Sequence, residues 1–92
     1  TMIFITTYKI KPHITKEETK QLMGVFATVG NTPGTVANYV NADGGGGVVI
    51  AESDDPREGY ANLLNYQQWM EFETKVMLKV EDAMPLIGAY LG

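Results

Sequence analysis

Two helix-start signals divide this chain and restrict the folds that it can adopt. Thr15 and Glu18 form one capping-box pattern, in which each side chain bonds the other residue's backbone N–H. Asp55, Pro56 and Glu58 form the other, with an N-cap, a proline at the first helical position and a second capping box. The sequence therefore predicts two helices, separated by a long non-helical segment.

The ends of these helices are also indicated by the sequence. The first has one apolar face and is expected to end at Gly30 and Asn31, which favour the left-handed conformation of a helix stop. The second is expected to run to about Gln68. Its apolar residues, available for packing, are Tyr60, Leu63, Leu64 and Trp69.

The segments before, between and after the helices have the composition of strands. Four strands are predicted, over residues 2–10, 35–42, 47–53 and 72–80, and a short C-terminal helix is predicted over residues 82–91. In residues 72–80, apolar side chains and Thr74 alternate with Glu, Lys and Met. The order βαββαβ predicts one α+β domain over residues 1–92, a ferredoxin-like antiparallel sheet with both main helices on one face.

The stretch "NADGGGGVVIAES", residues 41–53, contains the one run that suggests a phosphate-binding loop. Such a loop needs a helix N-terminus directly after it, whereas "VVIAES" has the pattern of a strand. Asp43 and Gly44 between two strands are instead a strong hairpin signal. We therefore expect the glycines to turn the chain, with the remaining ones permitting a bulge or a wider tip.

Two stretches carry a resemblance to known families. "ADGGGGVVIAESDDP", residues 42–56, resembles a small bacterial domain-of-unknown-function family with an Ala-Asp-Gly-rich hairpin. The opening "MIFITTYKIKP" is similar to the first strand of the dimeric α+β barrel superfamily, which includes antibiotic-biosynthesis monooxygenases. The first resemblance implies a ferredoxin-like subunit paired through its sheet, with no established activity. The second implies a pocket within each subunit or barrel.

Composition excludes several classes of function. A net charge of −4 argues against nucleic-acid and anionic-membrane partners, which require a basic patch. The chain has no cysteine, which excludes thiolate catalysis and cysteine-based zinc sites and fits a reducing cytoplasm. His13 is the only histidine, so no metal site and no cofactor are predicted.

The first strand leaves its inward face undetermined. Its two alternating sets, Ile3, Ile5 and Thr7 against Phe4, Thr6 and Tyr8, are both half apolar. Helices cover only one face of the predicted sheet, so an apolar second face requires another subunit. We therefore expect a homodimer that pairs through the sheet. The apolar C-terminal tail has two open roles, as a clasp on the partner or as packing on its own sheet.

The candidate ligand-binding residues combine polar groups with apolar neighbours, as small-molecule sites do. Glu52 follows Val48 and Ile50 on one strand face and could act as an acid or base at the rim of an apolar layer, or reach solvent. His13 could contact a ligand or lie in an exposed loop. The full set is Tyr8, His13, Asn38, Tyr39, Glu52 and Trp69.

Two functions fit these features. The preferred one is a cytoplasmic homodimer that binds a small molecule or acts as an accessory module, with no clear catalytic motif. The alternative is a cofactor-independent dimeric-barrel enzyme, a monooxygenase, isomerase or cyclase, that transfers protons through His13, Tyr8, Tyr39 or Glu52. The alternative requires at least two of these side chains within hydrogen-bond reach of one point.

Overall fold

The computed structural model describes residues 1–92 and contains a four-stranded antiparallel sheet with three helices. The strands lie in the order β2-β3-β1-β4, so β1 and β3 are central. This is the ferredoxin-like α+β fold that the sequence predicts. The elements are β1 (Met2–Ile10), α1 (Lys16–Val29), β2 (Thr35–Val40), β3 (Gly46–Ser53), α2 (Pro56–Leu64), β4 (Met70–Met77) and α3 (Val80–Leu91).

The capping box of α1 is present as predicted, and that of α2 is not. Thr15 Oγ1 accepts from the Glu18 N–H at 3.0 Å, and the Thr15 N–H donates to Glu18 Oε1 at 3.3 Å. At α2, the Asp55 side chain caps the Arg57 N–H, but Glu58 does not close a box. In a capping box, the Glu58 carboxylate would accept a hydrogen bond from the Asp55 N–H. Here that N–H already donates to Ser53 Oγ at 3.0 Å.

The helix α2 is about four residues shorter than the sequence predicts. The Asn65 side-chain amide donates to the Ala61 and Asn62 carbonyl oxygens and covers the helix end. Two tight turns follow, in which the Trp69 N–H donates to the Tyr66 carbonyl oxygen at 3.0 Å. These turns start β4 at Met70, two residues earlier than predicted, and the other predicted bounds differ by no more than three residues.

Strand register settles which face of the sheet the helices cover. Phe4, Thr6 and Tyr8 face α1 and α2, since they line the spaces beneath those helices. Ile5 pairs with Ile50 and therefore lies on the opposite face, which no helix covers. On this helix-free face, the apolar patch consists of Ile3, Ile5, Tyr39, Val48, Ile50 and Met77. Its charged margin consists of Lys9, Glu52, Glu71, Glu73 and Lys75.

The core is small and lies at one end of the sheet. Leu22 of α1 packs with Tyr66 and Trp69 from the turns after α2, and only 7 of the 92 residues are buried. The Tyr66 hydroxyl donates to the Gly30 carbonyl oxygen at 2.8 Å and ties these turns to the end of α1. Beside this core, cavities remain between the helix layer and the sheet.

The molecule is elongated because α3 extends away from the sheet. The radius of gyration is 16.1 Å, against about 12 Å for a compact chain of this length. Almost every residue of α3 is exposed, including Tyr90 at 88% and Leu91 at 77%. Packing of the tail on its own sheet, one of the two roles left open above, is therefore absent from this structure.

Candidate functional site

A cavity with a volume of about 180 Å³ lies between α2 and the sheet. We name it the α2 cavity. Its floor is formed by side chains of the three strands β1, β3 and β4, namely Phe4, Thr6, Val49, Ala51 and Thr74. Since Phe4, Val49 and Ala51 present only carbon atoms, the two threonines are the polar groups of the floor.

The roof of the α2 cavity is formed by α2 itself, through Pro56, Gly59, Tyr60 and Leu63. Gly59 leaves part of this space free, because a Cβ atom built on it would meet only Thr32 Cγ2, at 3.7 Å. A larger side chain at this position would therefore project into open volume. The cavity exists partly because the residue in the middle of its roof has no side chain.

The Thr6 and Thr74 hydroxyls form a hydrogen-bonded pair in the floor, with their oxygens 2.8 Å apart. Thr6 is buried at 8% exposure. A hydroxyl has one donor hydrogen and two acceptor lone pairs, so one internal bond leaves the pair with a further donor and with free lone pairs. The pair can therefore donate to, or accept from, a polar group on a molecule within the cavity.

An ion pair lies at the mouth of the α2 cavity. The Asp55 carboxylate accepts two bonds from Arg57 Nε, at 2.9 and 3.1 Å, and one from its terminal nitrogen at 2.9 Å. The bond from the Arg57 guanidinium, followed by that from the Arg57 N–H, lowers the pKa of Asp55 below its ordinary value. The carboxylate therefore stays ionised at neutral pH, and its charge is offset by Arg57.

This pair predicts a pH dependence of stability. A carboxyl whose pKa is lower in the folded state stabilises the fold above its unfolded pKa, and the stabilisation is lost as the pH falls through the folded value. Below about pH 4, the urea midpoint of the wild type should fall more steeply than that of Asp55→Asn or Arg57→Gln. Equal pH profiles for all three proteins, followed by circular dichroism, would show that the pair adds no stability.

A second cavity, of about 90 Å³, adjoins the first and brings together two of the predicted site residues, Tyr8 and Asn38. The two cavities share Thr32, Val49 and Leu63 in their linings. The Asn38 side-chain amide donates to Asn31 Oδ1 at 2.8 Å, and burial raises the pKa of Tyr8. Tyr8 therefore remains a protonated phenol at neutral pH.

The structure places the other predicted site residues apart from both cavities. Trp69 is in the core at 5% exposure. Tyr39 and Glu52 are exposed on the helix-free face, and His13 is in the exposed turn before α1, with a φ of 59°. The predicted positions therefore fall in four separate regions of the molecule.

This separation of the predicted residues argues against the enzymatic alternative, which requires at least two of them close together. Tyr8 faces the helices, whereas Tyr39 and Glu52 face the opposite side of the sheet. Of the four proposed proton-transfer residues, only Tyr8 lines either of the two cavities, so neither cavity has the geometry that the alternative requires. The structure also contains no group of three His, Asp or Glu side chains placed to hold a metal ion.

Sequence reasoning missed Thr74 and Gly59 as lining residues of the α2 cavity. Thr6 and Thr74 are 68 positions apart, and only the β1–β4 register brings them together. Gly59 has no local signal beyond being a glycine within a predicted helix. Thr6 belongs to one of the two alternating sets of the first strand, and the sequence left undetermined which set faces inward.

Comparisons with known proteins give a family and no activity. The chain matches the family described as "Domain of unknown function (DUF3303)" over residues 2–91. No curated protein matches the sequence. Among solved structures, it is similar to a dimeric ferredoxin-like protein of unknown function from Thermobifida fusca, with 10% identity and a TM-score of 0.43. That alignment covers 83% of this chain and 90% of the other.

None of the three helices is long and apolar enough to cross a membrane. The match to the family model extends over nearly the full sequence, and the predicted resemblance to a family of unknown function is confirmed at that level. The chain belongs to the DUF3303 family.

Proposed function

We propose that the protein is a homodimeric small-molecule-binding module, and that each subunit holds one small, neutral, mainly apolar ligand in the α2 cavity. The observation that carries the proposal is the cavity itself, with apolar walls and the single Thr6–Thr74 hydroxyl pair in its floor. Apolar walls with a few convergent polar groups are the common form of small-molecule sites.

The volume of the cavity limits the size of the ligand. An apolar cavity of about 150 Å³ holds benzene, so the 180 Å³ found here corresponds to a single ring or a short branched chain. The adjoining cavity, lined by Tyr8 and Asn38, gives room for a substituent. These two residues are the members of the predicted site that the proposal retains next to the ligand.

The charges at the site favour a neutral ligand. The only charged groups at the mouth, Asp55 and Arg57, already satisfy each other through three hydrogen bonds. A ligand carboxylate would lose its hydration without gaining a cation, which is unfavourable in an apolar site. A hydroxyl or carbonyl group has a partner in the threonine pair.

The proposal places the dimer contact on the helix-free face, in a sheet-to-sheet arrangement of the dimeric α+β barrel type. The apolar patch there has no cover within the chain. Both lysines and glutamates lie at its margin, so a two-fold axis can bring opposite charges together. Each subunit then keeps its cavity on the outer side of its sheet. The absence of cysteine fits a cytoplasmic location for this dimer.

A cavity-filling variant tests the ligand site. Gly59→Leu should raise helix propensity and stability while it fills the α2 cavity. Phenol, added to ¹⁵N-labelled protein, should shift the amide signals of Ala51, Gly59 and Leu63 in the wild type, and benzoate should not. Gly59→Leu should lose the phenol response. Gly24→Leu makes the same change in α1, where a Cβ atom meets nothing within 4 Å, and should keep it.

If phenol shifts the same signals in Gly59→Leu as in the wild type, the α2 cavity is not its site. If benzoate binds as well as phenol, the inference of a neutral ligand is wrong. Both results can be measured on folded protein, because Gly59→Leu and Gly24→Leu add a side chain and remove no packed one.

The hydroxyl pair is tested separately by Thr74→Val. This change keeps the side-chain shape and removes one hydroxyl, so we expect phenol affinity to fall about fivefold, the equivalent of one hydrogen bond. Benzene affinity should stay unchanged, which provides the control. A loss of affinity for both molecules, measured by the same NMR titration, would indicate a change in cavity shape instead.

A further inference from the structure

The C-terminal arm, residues 78–91, presents one continuous apolar stripe. At 100° per residue, Val80, Met84, Ile87 and Leu91 of α3 fall within about 60° of one another. Leu86 and Tyr90 widen this stripe on one side. The other side of the helix carries the acidic and small residues Glu81, Asp82, Gly88 and Ala89. A helix with this pattern is suited to lie on an apolar surface, but within a single chain its apolar side chains remain exposed.

The connection to β4 directs the arm away from its own sheet. Only Leu78 and Lys79 separate β4 from α3, and neither is a residue type that favours a turn. Lys79 is extended, with φ −65° and ψ 147°. The helix adds about 18 Å to a molecule whose longest dimension is 57 Å and whose others are 26 and 17 Å. To return to the same sheet, the chain would have to reverse direction within this link, and neither of its residues favours a turn.

The helix α3 also lacks the features that would stabilise it alone in water. Unlike α1 and α2, it has no side-chain cap, and it contains Pro85. Isolated helices of this length are marginal even in favourable sequences. Its helical form therefore depends on a surface that covers the stripe.

We infer that the arm is exchanged between two copies of this chain, and that its apolar stripe lies against the helix-free face of the partner, where the arm and the sheet of one subunit share the proposed interface. The inference rests on the proposed dimer and is independent of the ligand. The seven large apolar side chains of the arm are 47–88% exposed, which amounts to roughly 800 Å² and equals one partner's share of a standard interface. The apolar patch on the sheet, whose isoleucines and Val48 are already half-buried, offers less area.

The position of the arm next to the apolar patch, and the charges on both surfaces, favour the helix-free face of a second copy as the surface that the arm covers. Met77, the last residue of β4, belongs to the apolar patch, so the arm begins where the proposed interface ends. Glu81 and Asp82 in the first turn of α3 are acidic, and Lys9 and Lys75 lie at the margin of the helix-free face. The same acidic turn would be repelled by an anionic lipid surface. Under a two-fold axis, each arm covers the other subunit in the same way.

A pair of substitutions on opposite sides of α3 tests the arm's contribution to the dimer. Ile87→Glu places a charge in the stripe and should weaken the dimer at least a hundredfold, as measured by sedimentation across a concentration series. Ala89→Glu places the same charge on the opposite side of the helix and should change the dissociation constant by less than about threefold. Circular dichroism of both variants checks that the sheet remains folded.

A mixed-dimer experiment tests where the arm lies. The chain has no cysteine, so Ala89→Cys gives one site for a nitroxide label. Labelled, unenriched protein is mixed with ¹⁵N wild type, and we expect signal broadening at Ile5, Val48 and Ile50 of the ¹⁵N chain. Broadening of these signals only when the label and ¹⁵N are in the same chain would show that the arm returns to its own sheet.

The remaining outcomes each decide between the proposals. Broadening confined to α3 of the ¹⁵N chain would show that two arms pair with each other, which overturns the exchange onto the sheet. A dimer that survives Ile87→Glu with unchanged affinity overturns the exchange but leaves the sheet-to-sheet dimer intact. A wild type that stays monomeric at high concentration overturns both the exchange and the proposed dimer.

Discussion

Replacement of Gly46 or Gly47 by alanine is expected to destabilise the fold by at least ~3 kcal/mol, a large part of the stability of a domain this small. A Cβ atom on Gly46 would overlap the Tyr8 carbonyl oxygen, and one on Gly47 would overlap the Tyr39 carbonyl oxygen. Both obstacles are backbone atoms of neighbouring strands. Relief therefore requires the sheet itself to move, since no side-chain rotation removes the overlap.

The adjacent Gly45 supplies a matched control for this prediction. A Cβ atom there would lie 3.2 Å from Asp43 Oδ1, which belongs to a side chain that can rotate. Urea denaturation should therefore show a large loss of stability for Gly46→Ala and Gly47→Ala and a small one for Gly45→Ala. If all three variants lose the same amount, the cost comes from the general flexibility of the hairpin rather than from close strand approach.

The glycine run shows which structural features can be predicted from local sequence and which cannot. The hairpin was predicted and is present, with the Gly44 N–H donating to the Asn41 carbonyl oxygen at 3.0 Å. Of the four glycines, only Gly44 has a positive φ, of 75°, and Asp43 does not. The requirement for Gly46 and Gly47 arises from β1 and β2, so no pattern within the run itself could indicate it.

The order of elements was predictable because its signals are local. The capping box at Thr15 depends on residues three positions apart, and the alternation in residues 72–80 is a property of one strand. The length of α2 was not predictable in this way. Its end depends on the Asn65 amide and on Tyr66, whose hydroxyl contacts Gly30, 36 residues earlier.

The candidate site was predicted less completely than the fold, for a related reason. Tyr8 and Asn38 were identified, and both line a cavity. The face of β1 that would turn inward was undetermined in the sequence, because both sets of alternating residues are half apolar. Only the pairing with β3 and β4 brings Thr6 and Thr74 together, and so the polar pair of the α2 cavity depends on register.

The direction of the C-terminal arm was the other open choice. The sequence indicated an apolar tail that could serve either its own sheet or a partner. We base the proposed exchange on the two-residue link after Met77, in which Lys79 is extended, together with the exposure of almost the whole helix. Amphipathic patterning shows that a helix needs a surface, whereas the geometry of the link indicates which surface it can reach.

Trp69→Ala is expected to cost about 3–5 kcal/mol, the usual range for removal of a large aromatic side chain from a core. Trp69 is 5% exposed, and it forms the buried cluster of the core together with Leu22 and Tyr66. Urea denaturation followed by circular dichroism gives the measurement, and Leu64→Ala, at a half-exposed position, should cost far less.

A conservative variant separates this structural role from the ligand-binding role that the sequence indicated for Trp69. The indole lines neither cavity, so Trp69→Phe should lower stability while the folded protein binds phenol with unchanged affinity. Loss of phenol binding in Trp69→Phe at full stability would place the indole next to the ligand instead. Since α2 ends at Leu64 and the following turns carry Trp69 beneath α1, we expect the loss to appear in stability alone.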